Sequence, residues 1–100
     1  MAHYILRYTY SEDYLARRES FRAEHLQRGW AAHARGELFL AGALAEPADA
    51  ALLIFNVDDP QTVVEFAQQD PYVIHGLVTD WEIRPWTTVI GEHAATPLKP

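Results

Sequence analysis

The chain has 100 residues, 49% hydrophobic and 12% aromatic, and a formal net charge of −6. That size makes one domain burying about 60–70% of its unfolded surface, and the composition argues against disorder. The acidic balance opposes binding to nucleic acid, no apolar run nears the roughly 18–20 residues of a membrane span, and the absence of cysteine removes disulfide and thiolate chemistry.

The N-terminal stretch MAHYILRYTY alternates with period two, so residues 3–10 read as a strand. Tyr4, Leu6, Tyr8 and Tyr10 share one face, and His3, Ile5, Arg7 and Thr9 the other. No basic region precedes an apolar stretch, so no signal peptide is expected and the cytoplasm is the expected compartment. Ser11 to Asp13 forms a polar break that offers an N-cap. Residues 14–35 then read as a helix, with Leu15, Arg22, Leu26, Gly29 and His33 on its inward side, flanked by Phe21, His25 and Trp30. Arg17, Ser20, Glu24, Gln27, Arg28 and Arg35 are expected to face water, and Gly36 is a natural stop.

ELFLAGALA and AALLIFNV read as the second and third strands. DDPQTVVEFAQQ carries helix-start chemistry, with Asp59 as N-cap and Pro60 at the first helical position. DPYVIHGL adds one turn, and residues 78–90 form the last strand. The tail from residue 93 has two prolines and little pattern, so it is expected to fray. The order strand, helix, strand, strand, helix, strand predicts an α+β fold of the ferredoxin-like βαββαβ kind, with helices on one face of an antiparallel sheet. Strand three has Leu53 and Phe55 on one face but Leu52 and Ile54 on the other. A half-solvated sheet would alternate apolar with polar, so a second copy of the chain is expected to cover the free face.

These motifs resemble the YciI-like (YCII-related) family. The matching pieces are RESFRAEHL, GELFLAGAL, DPYVIHGLV and WEIRPW, in the right order and across most of the chain. The resemblance assigns residues 1–92 to a YciI-like domain and leaves 93–100 as a tail. It implies a ferredoxin-like subunit that dimerises sheet to sheet into a dimeric α/β barrel. It also implies a catalytic histidine–aspartate pair, which by motif position falls on His25 and Asp70. At least one member of the family is a dehydrochlorinase acting on a chlorinated hydroxyquinol. Two positions depart from the family pattern. Gly42-Ala43 stands where the family usually has Gly-Pro, and His75 stands where it usually has a small residue before glycine.

Each candidate has a structural reading beside its chemical one. His25 suits proton transfer near neutral pH, or it is a half-buried ring bonded to a backbone carbonyl. Asp70 precedes Pro71 and so caps the following turn. The same carboxylate can also orient an imidazole, as the acid does in hydrolase triads. The two side chains are then expected about 2.6–3.2 Å apart. Arg22, one turn before His25, either holds an anionic substrate or pairs with Glu19. Tyr72 donates to a substrate oxygen or packs. Arg7 and His75 complete the candidate substrate-binding set. Trp81 and Trp86 lie on opposite faces, which suits one to the core and the other to an interface.

No serine nucleophile, phosphate loop or metal-ligand cluster is visible, so neither cofactor nor metal is expected. The expected activity is a cofactor-independent elimination or isomerisation on a small, cyclic oxygenated molecule held between the first helix and the sheet. The alternatives are a non-catalytic binding or regulatory module and a cofactorless monooxygenase of the dimeric α/β barrel group.

Overall fold

A computed structural model describes residues 2–100. Eight elements follow in chain order: β1 (Ala2–Tyr10), α1 (Tyr14–Arg17), α2 (Glu19–Ala34), β2 (Leu38–Ala43), β3 (Ala50–Val57), α3 (Gln61–Gln69), α4 (Pro71–Ile74) and β4 (Val78–Trp86). The four strands form one sheet in the order β2-β3-β1-β4, antiparallel at every pairing. This is the ferredoxin-like βαββαβ arrangement that the element order predicts. No helix among the described residues is long and apolar enough to cross a membrane.

The β1 alternation sets the core. Tyr8 pairs with Ala51 and Trp81, and Leu6 with Leu53 and Ile83, so these side chains share one sheet face. Leu6, Tyr8 and Phe55 are fully buried there, together with Val63 and Ala67 of α3. The other face carries Ile5, Arg7, Leu52, Ile54, Glu82 and Trp86, all half-buried or exposed. Trp81 packs on the core while Trp86 is exposed, as their opposite parity predicts.

Several local expectations change. The first helix is interrupted at Arg18, where the Phe21 N–H closes a three-residue turn onto the Arg18 carbonyl. The break makes α1 a separate turn, whose Tyr14 stacks on Tyr10 at 3.6 Å between ring centroids. The inward row of α2 is Phe21, His25, Arg28, Gly29 and Ala32, rotated from the predicted stripe. Arg28, expected in water, is half-buried. Its guanidinium lies 4.7 Å from the Phe66 ring and donates to the Phe66 carbonyl, so a cation–π contact and a hydrogen bond carry it inward. Leu26 and Trp30 are correspondingly exposed, at 46% and 69%.

The last strand ends at Trp86, which pairs with His3, and does not run on to residue 90. The segment after it folds back, with Leu98 donating to the Val89 carbonyl and Thr96 to that of Thr88. The expected fraying gives way to these backbone bonds.

Candidate active site

Three elements converge on one carboxylate. Asp70 ends α3 in extended conformation, at φ −69° and ψ 125°, and caps α4 by accepting the Tyr72 N–H at 3.0 Å. Pro71 at the next position lacks an N–H and suits a first helical turn. The side chain turned back by this cap is fully buried. Tyr8, near the C-terminal end of β1, donates its hydroxyl to Asp70 Oδ2 at 2.8 Å. His25, on the inward row of α2, places Nδ1 at 2.9 Å from Oδ1 and 3.0 Å from Oδ2. The expected contact between His25 and Asp70 therefore forms. Desolvating a carboxylate costs several kcal/mol unless its lone pairs are engaged. Here three donors engage them, and among the described residues no buried side-chain polar atom is left unpaired.

The carboxylate sets the chemistry of the imidazole. It accepts from Nδ1, so the neutral ring keeps its proton there and carries its lone pair on Nε2. Tyr72 holds the ring plane, stacking on it at 3.8 Å and 8°. His25 keeps 19% side-chain exposure and lines a cleft of about 400 Å³ between α2 and the strands β2 and β3. That volume lies within the range of small-molecule sites. Its walls include Tyr10, Tyr14 and Phe66, over a low floor of Ala41, Ala51 and Leu53. A base-type nitrogen oriented by a buried acid beside an apolar cleft can accept or return a proton.

The other candidates divide. Arg22 and Tyr72 line the cleft. Tyr72 is buried, so its contact surface is a ring wall. Arg7 does not line it: one residue from Tyr8, it points to the opposite sheet face, into a separate hollow with Ile5, Glu82 and Arg84. His75 does not either. It lies one turn beyond Asp70, stacks on the outer side of Phe21 at 4.3 Å, and its carbonyl accepts from Arg17. Tyr8 was missed by sequence reasoning. Its inward parity carried a usable signal, since a buried tyrosine hydroxyl needs an acceptor.

Burial first, and then the Asp70 carboxylate, push the Tyr8 hydroxyl far above the ordinary tyrosine range. Burial and the neighbouring Tyr14 raise Tyr10, and Tyr72 is pushed up to about 12. Tyr8 is thus a permanent donor to Asp70. The unfolded chain releases this proton near pH 10 while the fold keeps it, so the unfolded state then binds fewer protons. Stability is expected to be flat in this respect up to about pH 10 and to fall above it, by about 1.4 kcal/mol per pH unit for Tyr8 alone. Urea midpoints across that range check this. Tyr8→Phe should show a shallower alkaline decline, and an unchanged slope would mean that Tyr8 does not hold its proton in the fold.

The YCII-related domain family matches over residues 1–87. Among curated proteins, none matches the sequence. Among solved structures, the chain is similar to the 5-chloro-2-hydroxyhydroquinone dehydrochlorinase TftG of Burkholderia phenoliruptrix AC1100, in complex with 2,5-dihydroxybenzoquinone. The TM-score is 0.74 at 18% identity, over 92% of this chain and 98% of that one. At that identity the likeness is one of fold.

Proposed function

The chain belongs to the YCII-related domain family, and with that as premise we propose that it is a small acid–base enzyme acting without a cofactor on a cyclic, oxygenated organic molecule. The observation that carries this reading is the buried Asp70 bonded to His25 Nδ1, beside a cleft that His25 itself lines. In the proposed step, His25 Nε2 takes a proton from the substrate and Asp70 stabilises the imidazolium. The electron pair left behind either expels a leaving group such as chloride, giving elimination, or is reprotonated one position along, giving isomerisation. The activity in the name of the fold neighbour, a dehydrochlorinase, supports elimination as the first reaction to try.

The test is a panel of chlorinated hydroxyquinols and hydroxylated ring ketones, followed by chloride release and ultraviolet spectra. Turnover by the parent and its loss in His25→Gln are expected. Full turnover in His25→Gln would overturn the assignment of the base. Binding without turnover across the panel would favour a non-catalytic binding module.

The same reading includes a homodimer. Leu40 is 66% exposed and Trp86 45%, on the sheet face away from the helices, with Ile5, Leu52 and Ile54 half-buried beside them. A second copy laid on this face would bury on the order of 2,000 Å². Sedimentation at micromolar concentration should give twice the 11.4 kDa chain mass. A folded monomer would contradict it.

A further inference from the structure

The chain carries fourteen acidic and eight basic side chains, yet no Asp, Glu or Lys lines the cleft. Its charged lining consists of Arg18 and Arg22. Other arginines are tied down: Arg17 donates to the His75 carbonyl, Arg28 to that of Phe66, and Arg35 to Glu37. Among the described residues, the side chains of Arg18 and Arg22 have no acidic partner. The Arg18 guanidinium lies 5.7 Å from the Tyr14 ring centroid, while Arg22 makes no side-chain hydrogen bond among these residues. The pair is spaced i, i+4 on the helical path, and His25 follows three residues after Arg22, so the three groups share one side.

An acidic protein that concentrates two uncompensated guanidiniums at the wall of an apolar, aromatic cleft attracts anions there against its own net charge. The geometry points to an organic anion as the ligand class: a flat conjugated ring with an anionic oxygen, either an ionised ring hydroxyl or a carboxylate. Arg18 and Arg22 read the anionic oxygen, and the ring lies between the aromatic walls and the alanine-rich floor. In this arrangement the two arginines determine specificity, and His25 addresses a separate atom of the ligand. A guanidinium pairs with carboxylate-like oxygens by charge-assisted, bidentate hydrogen bonds. It would also stabilise the negative charge that builds up when a proton is removed from the ring system. The inference rests on the reading of this cleft as the substrate site, but its test reads binding and not turnover.

Calorimetric titration with two matched pairs separates the sources of charge: dinitrophenolate against its methyl ether dinitroanisole, and benzoate against methyl benzoate. In at least one pair the anion should bind the parent about tenfold or more tightly than its neutral partner. A preference in the first pair alone assigns an ionised ring oxygen, and in the second alone a carboxylate. The preference should shrink to within about twofold in an Arg18→Gln, Arg22→Gln double variant, with an unchanged circular dichroism spectrum confirming the fold. It should survive in Arg7→Gln, since that arginine lines a separate hollow on the opposite sheet face. A preference in neither pair, its survival in the double variant, or no binding of any probe by the parent overturns the proposal. A parent that shows the preference but turns nothing over contradicts the acid–base reading and leaves the anion site standing.

Discussion

Asp70→Ala is expected to destabilise the fold by about 3–5 kcal/mol, more than most single substitutions. Three donors converge on the carboxylate: the Tyr8 hydroxyl, His25 Nδ1 and the Tyr72 N–H. Alanine would leave Tyr8 and the Tyr72 amide without an acceptor in a buried site, at about 1–3 kcal/mol for each unsatisfied group. It would also remove the cap of α4, worth about 1 kcal/mol. The contributions overlap and do not simply add. Chemical denaturation at neutral pH checks this. A loss below about 1 kcal/mol would mean that the network rearranges around a water, and that Asp70 does not hold these elements together.

Asp70→Asn should separate fold from chemistry. Asparagine caps helices as aspartate does, and its carbonyl can keep the Tyr72 N–H. Its amide NH2 would then stand toward Tyr8, while the carbonyl oxygen takes the place of Oδ1, which lies 2.9 Å from His25 Nδ1. The Tyr8 hydroxyl can reverse its role and accept. His25 Nδ1 can go on donating to that oxygen, so the tautomer is kept, but the negative charge that stabilises the imidazolium is gone. The base is then weakened although every side chain stays in place. If the proposed proton transfer is right, turnover should fall by about 10²–10⁴, as expected for an impaired general base, while denaturation changes far less than in Asp70→Ala. Equal turnover in Asp70→Asn and parent would leave Asp70 with only its structural role.

The contact between His25 and Asp70 was legible because each residue carried a local signal. Asp-Pro before an apolar turn places the carboxylate at a cap, and helical period puts His25 on the flank facing the sheet. The family motifs brought the two together, and the fold spaces them at 2.9 Å. Less of the cleft was legible, for three physical reasons. Strand parity separates Arg7 from Tyr8 by one residue and hence by the full thickness of the sheet. Sharing a face with Ile5 was right, but that face is not the one under α2. His75 follows Asp70 closely in sequence, yet one helical turn carries it outward to Phe21. Arg28 misled the helix reading because polarity predicts solvent, whereas a guanidinium can enter a core edge over an aromatic ring. That rotation opens the cleft, since it leaves Leu26 and Trp30 on the rim.

The most direct test of the central claim is the tautomer of His25, which needs no substrate. Two-bond proton–nitrogen correlation spectra of nitrogen-15-labelled protein should be recorded at about pH 8.5, above the ordinary histidine range. They should show Nδ1 carrying the proton and Nε2 with the shift of an unprotonated nitrogen. A parent His25 protonated at Nε2 would contradict the claim that Asp70 makes Nε2 the base.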